Sequence, residues 1–183
     1  MYFAALLART EDGWQASETD LDDVETLGDL TDLAREASAE EETVLVFIEQ
    51  EDAWFGVVRV DGEEDPRIYV SDAAAAARSS YGEILLTDEL LGRDPGAADN
   101  LDDLVDLDGT EEGDEEADDD DVVPGPTEEA APVGPLGDAD ILVDLGMSNK
   151  ALLALSGDGA LTGEALGEIA DTLGCADVLE AVR

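Results

Sequence analysis

The chain has 183 residues, 50 of them acidic and 8 basic, for a formal net charge of −42 with no histidine. Nucleic-acid affinity comes mostly from Lys and Arg neutralising phosphates, so this balance excludes a direct nucleic-acid footprint, and it opposes docking on anionic membranes. The missing imidazole removes the commonest general base, every Ser-His or Cys-His pair and imidazole metal ligation, while Cys175, the single cysteine, permits no internal disulfide and fits a reducing compartment.

Tyr2 to Ala8 reads as a buried strand, because both alternating residue sets are apolar, and Glu11-Asp12-Gly13 then marks a turn. From Asp20 to Ala37, Val24, Leu27, Leu30, Leu33, Ala34 and Ala37 recur at three- and four-residue spacing, which predicts an amphipathic helix. Thr43 to Ile48 and Ala53 to Val60 are rich in β-branched and aromatic residues around a polar break, the pattern of a β-hairpin. A turn at 61–66 leads to a short strand, Arg67 to Val70, and Ser71 is placed to cap a helix running from Asp72 through the alanine block to about Ser79. One more short turn of helix or a strand is expected within 83–91. The order β-α-β-β-β-α predicts an α+β fold, a small antiparallel sheet with helices over residues 1–91.

Residues 92–137 change to Asp, Glu, Gly and Pro, and carry 17 acids against one base. Such a segment buries too little apolar area to offset its ordering entropy, so it is expected to be a disordered acidic linker. Leu101, Leu104, Val105 and Leu107 interrupt it as a candidate docking motif. An EF-hand register on Gly109 fails, because Leu104 falls at the first ligand position.

After the linker, 138–183 is expected to be a helical segment built from 139–145, 148–155, 162–173 with Thr162 as cap and Gly174 as stop, and 176–182. All eight aromatic residues lie at or before Tyr81, so these helices are marginal as an independent core. The central strands are apolar on both faces and need two covers. The C-terminal helices are therefore expected either to dock on the second sheet face or to leave it open for a partner or for a second copy of the chain.

No catalytic, cofactor-binding or metal-binding residues emerge. Gly157-Asp158-Gly159 lacks the Lys-Ser/Thr continuation of a phosphate loop, and carboxylates are so abundant that no pair stands out for glycoside chemistry. Cys175 has no basic neighbour and reads as a packed thiol. Trp54 and Phe55, adjacent on one strand and so pointing to opposite faces, are the candidate partner-binding residues. Arg59, Arg67 and Arg78 are expected in internal salt bridges. The apolar run in MYFAALLART is short, follows no basic residue and precedes acidic sequence, and no stretch approaches about 18 apolar residues, so a cytoplasmic protein without secretory signal or membrane span is expected.

The stretch FIEQEDAWFGVVRVDGEEDPRIYVSDAAAAARSSYGEILL (47–86) resembles the N-terminal block of the actinobacterial tRNA adenosine deaminase-associated protein family, and LVDLGMSNKALLALSGDGALTGEALGEIADTLGCADVLEAVR (142–183) resembles its C-terminal block. The family is named for lying beside a tRNA adenosine deaminase gene, so the resemblance implies an accessory or adaptor protein whose partner is that deaminase or another basic, tRNA-handling protein, and it brings no catalytic residues with it. The deaminase itself needs zinc in a His/Cys/Cys framework, which this sequence cannot furnish. The rival expectation is a structural, self-associating protein with no catalytic role.

Overall fold

The computed structural model describes residues 2–38, 43–92, 131–157 and 161–183. Six strands form one antiparallel sheet: β1 (Tyr2–Thr10), β2 (Gly13–Glu18), β3 (Thr43–Gln50), β4 (Trp54–Asp61), β5 (Arg67–Val70) and β6 (Leu136–Gly137), in the order β2-β1-β3-β4-β5-β6. The expected antiparallel α+β architecture is thus present, with two strands more than periodicity shows. The polar β2, GWQASE, is an edge strand with one face toward solvent and lacks an apolar run. In β6 only two residues pair, Leu136 with Val70 and Gly137 with Tyr69.

Among the described residues six helices accompany the sheet: α1 (Leu27–Ala37), α2 (Ala73–Ala76), α3 (Ser80–Leu85), α4 (Asn149–Leu155), α5 (Thr162–Leu173) and α6 (Ala176–Ala181). The first helix begins later than its apolar spacing suggests. Thr26 and Asp29 close a capping box there, Thr26 Oγ1 accepting from the Asp29 N–H and Asp29 Oδ2 from the Thr26 N–H, while Leu21 and Val24 are buried from an irregular segment. Ser71 is not a cap either. Asp72 caps α2, and the Ser71 hydroxyl accepts from the Phe55 N–H instead. Likewise Thr162 is the first residue of α5 rather than its cap, and 139–145 forms turns ending in a 3-10 segment at Val143–Leu145. Gly174 stops α5 at φ 76°, as its position predicts.

The two apolar faces of the sheet each have their own cover. Leu6, Val44, Val46, Ile48, Trp54, Val58 and Val70 pack with Leu21, Leu30, Ala34, Ala76 and Leu85 from the α1–α3 side. Leu7, Leu45, Phe47, Phe55, Val57 and Tyr69 pack with Ile141, Leu142, Leu152, Leu166, Ile169, Ala170, Leu173 and Leu179 from the C-terminal helices. Burying each such aliphatic or aromatic side chain contributes about 1.5–3 kcal/mol, which is why strands β3 and β4 can be apolar on both sides. Of the two arrangements expected for the second face, docking by the chain's own helices is the one present. No bare sheet face remains among the described residues for a copy of the chain to cover.

The α2–α3 corner is tight enough to require glycine. A Cβ on Gly82 would overlap the Ala76 carbonyl backbone, and backbone cannot yield as a flexible side chain does. We expect Gly82→Ala to lose about 3 kcal/mol of stability, at the upper end of overpacking costs, measured by urea unfolding; an unchanged midpoint would refute this close approach. Most of 92–137, including the leucine motif and the rejected calcium loop, lies outside the described residues; its last seven residues are described and contain β6.

Candidate functional site

Polar contacts join the sheet to the C-terminal helices. Arg59 on β4 donates from Nε to Asp61, from Nη1 to the Ile141 carbonyl at 2.9 Å, and through both terminal nitrogens to the Asp144 carboxylate. Arg67 on β5 donates from Nε to Asp138 Oδ2 at 2.6 Å. The Trp14 indole donates to the Leu173 carbonyl at 3.1 Å, capping one orphan acceptor at the end of α5. Tyr69 and Ser156 share a hydroxyl hydrogen bond of 2.6 Å. Burial raises the Tyr69 phenol above its ordinary value and the Ser156 bond partly offsets this. The arginines at 59 and 67 therefore do serve internal salt bridges, as expected; Arg78 is exposed.

The last of these contacts builds a pocket. Glu49 is the penultimate residue of the apolar strand β3 and, by alternation, faces the C-terminal helices, where it is only 5% exposed. Its carboxylate accepts from Thr162 Oγ1 at 3.0 Å and from Arg183 Nη2 at 2.7 Å, and Arg183 also donates to the Gly163 carbonyl. The Arg183 guanidinium lies 5.7 Å from the centre of the Phe3 ring, within reach of a cation–π contact. Around this arrangement lies a cavity of about 660 Å³ bounded by Tyr2, Phe3, Leu161 and the start of α5, with Glu18, Glu51, Asp52 and Glu164 at its rim. Tyr2 is held in place by stacking on Tyr81 with ring centres 4.0 Å apart, and its hydroxyl accepts from the Leu21 N–H. Asp52 sits in the β3–β4 turn at φ 59°, a left-handed position that aspartate tolerates.

Among the described residues the pocket's ionisable groups are carboxylates, the Tyr2 phenol and one guanidinium, and no group of three or more His, Cys, Asp or Glu could hold a metal ion. What such a pocket can do is hold a cation, between acidic oxygens and an aromatic face. The signal for it in the sequence is Glu49, the one charge in TVLVFIEQ, which alternation points inward.

The candidate partner-binding residues lie elsewhere. Trp54 is 0% and Phe55 1% exposed. Trp54 packs on the α1–α3 side and donates its indole N–H to Gln50, while Phe55 packs under the C-terminal helices against Tyr69. Both are core, so neither offers a surface contact. Cys175 is buried, and that burial pushes its thiol up to about 11, with Asp171 adding in the same direction. We expect thiol-reagent labelling at pH 8 to be slow for the native chain and at least about 100-fold faster in denaturant; equal rates would show an accessible thiol.

Among the described residues no helix is long and apolar enough to cross a membrane. A family model described as Rv3753c-like tRNA adenosine deaminase-associated protein matches residues 2–176. This agrees with the resemblance carried by 47–86 and 142–183. No curated protein and no solved structure matches the chain significantly.

Proposed function

The chain belongs to the Rv3753c-like tRNA adenosine deaminase-associated family, and from that membership we propose that it is a non-enzymatic cytoplasmic accessory protein that binds a tRNA adenosine deaminase through protein–protein contact. The observation that carries the reading is the charge: a formal −42, in which Arg35, Arg59, Arg67 and Arg183 are bonded to the chain's own acids. An enzyme that handles tRNA must present a basic surface to phosphates, and a strongly acidic protein complements such a surface and is steered toward it. The same charge repels tRNA itself. These residues hold no histidine and one cysteine, so they do not assemble the deaminase's own zinc site. The acidic segment 92–137 acts in this reading as a tethered polyanion of high local concentration that competes with RNA for the partner's basic surface.

The test is calorimetric titration of the deaminase with this chain at two ionic strengths. Binding at 0.05 M salt that weakens at least about tenfold at 0.5 M supports the reading, since screening shortens the reach of surface charge. Absence of binding at both salts, or tight binding of bare tRNA by the chain alone, overturns it. Self-association is read from light scattering in the same buffers; it lacks the uncovered sheet face that first suggested it.

A further inference from the structure

We propose that the pocket between the β1–β3 end of the sheet and the start of α5 is the docking point for a cationic side chain, arginine or lysine, projecting from the basic protein partner. The inference rests on the accessory reading above and adds the place of contact. Three features carry it. The cavity, at about 660 Å³, is open to an inserted group and keeps that volume with Arg183 already in its wall; ligand sites commonly span about 300–1,000 Å³.

The second feature is charge. Among the described residues five acids and one arginine line the pocket. The arginine is bonded to Glu49, so it cancels one charge, and Glu18, Asp52 and Glu164 stand exposed at the rim. A cation entering there meets the negative field of Glu18, Asp52 and Glu164 beside low-dielectric walls, where attraction is stronger than on open surface.

The third is a precedent inside the molecule. Arg183 sets its guanidinium against the Phe3 ring while donating to Glu49 and to the Gly163 carbonyl, so these walls already receive one guanidinium by aromatic and carboxylate contact. Leu161, 54% exposed, supplies apolar surface for the aliphatic stem of a second. A phosphate-bearing ligand would face the same acids with the wrong sign.

The experiment compares two triple variants that reduce the net negative charge equally. One is Glu18→Gln, Asp52→Asn and Glu164→Gln at the pocket rim; the other is Asp12→Asn, Glu36→Gln and Glu63→Gln, all exposed and none lining the pocket. Each is titrated with the deaminase, and separately with the tripeptide acetyl-Gly-Arg-Gly-amide while the amide resonances of Phe3, Thr162 and Gly163 are followed. The rim variant should bind the deaminase about tenfold more weakly than wild type, and the distant variant within about threefold. The peptide should give saturable shifts at those three amides in wild type and in the distant variant, and none in the rim variant. If both variants weaken deaminase binding alike, the pocket is not the contact and the accessory reading stands. If the peptide gives no saturable shift in wild type, the pocket proposal falls whatever the deaminase does. If the peptide binds as expected but the deaminase does not bind wild type, the accessory reading falls and the cation pocket remains.

Discussion

Ending the chain after Leu91 is expected to leave a fragment without a cooperative fold. The cut removes β6 and α4–α6 and strips the cover from Leu7, Leu45, Phe47, Phe55, Val57 and Tyr69, all at most 1% exposed in the whole chain. At about 1.5–3 kcal/mol for each large apolar side chain returned to water, the loss equals or exceeds the roughly 5–15 kcal/mol by which a domain of this size is stable. The exposed face would also be a continuous apolar sheet surface, an aggregation hazard rather than a tolerated patch. Far-UV circular dichroism and urea unfolding of residues 1–91 measure this directly. A soluble fragment with a sharp unfolding transition would mean that the sheet and α1–α3 suffice, and that 138–183 is an independent unit after all.

That expectation bears on how the chain is organised. Composition divides it into an aromatic-rich first half, an acidic middle and an aromatic-free end, and invites a reading as two folded pieces on a tether. We propose instead that 1–91 and 138–183 form one folding unit. The supporting contacts are apolar, between Phe55, Tyr69 and the α5 stripe, and polar, from Arg59, Arg67, Glu49 and Trp14. The second half lacks aromatics because its helices do not build a core. They complete one.

How far the sequence reveals this follows from which signals are local. Strands β1, β3, β4 and β5 are legible because β-branched and aromatic runs with apolar residues at both parities leave few alternatives. Helix α5 is legible for its stripe of Leu166, Ile169, Ala170 and Leu173 and for Gly174. Strand β2 is hidden because an edge strand with one wet face is polar, and β6 because two hydrogen-bonded residues have no period. Caps are misplaced at Ser71 and Thr162 for a shared reason. Each hydroxyl has a better tertiary use, Ser71 on the Phe55 amide and Thr162 on Glu49, and such uses cannot be read from neighbours in sequence. Of the pocket only the inward charge of Glu49 is legible, since Phe3, Glu49, Thr162 and Arg183 are brought together only by the antiparallel pairing of β1 with β3 and the docking of α5. Trp54 and Phe55 stand out as large aromatics, and size decides in favour of the core.

Replacing Arg59 by methionine is expected to cost about 3 kcal/mol. The guanidinium side chain is 8% exposed and satisfies Asp61, the Ile141 carbonyl and both oxygens of Asp144. Methionine fills much of the same space but leaves Asp61, 25% exposed, with the Thr43 hydroxyl and no cation, and leaves the Ile141 carbonyl without this donor. Lysine keeps the charge and loses the fork, so Arg59→Lys should fall between. Asp144→Asn should cost only about 1 kcal/mol, because that carboxylate is 57% exposed and well screened. The pH dependence identifies the pair. The Arg59 guanidinium holds the Asp144 carboxyl below its ordinary value, so the contribution is fully present above the ordinary aspartate range and is lost as pH falls through the lowered folded value. The gap between wild type and Arg59→Met in urea unfolding should therefore be widest near neutrality and narrow below about pH 4. Taking the difference between the two chains removes the background, in which protonating other carboxylates relieves the self-repulsion of a chain at −42. A gap that stayed constant down to pH 2 would show that Arg59 acts through packing alone, and that its bidentate bond to Asp144 contributes nothing to holding the C-terminal helices on the sheet.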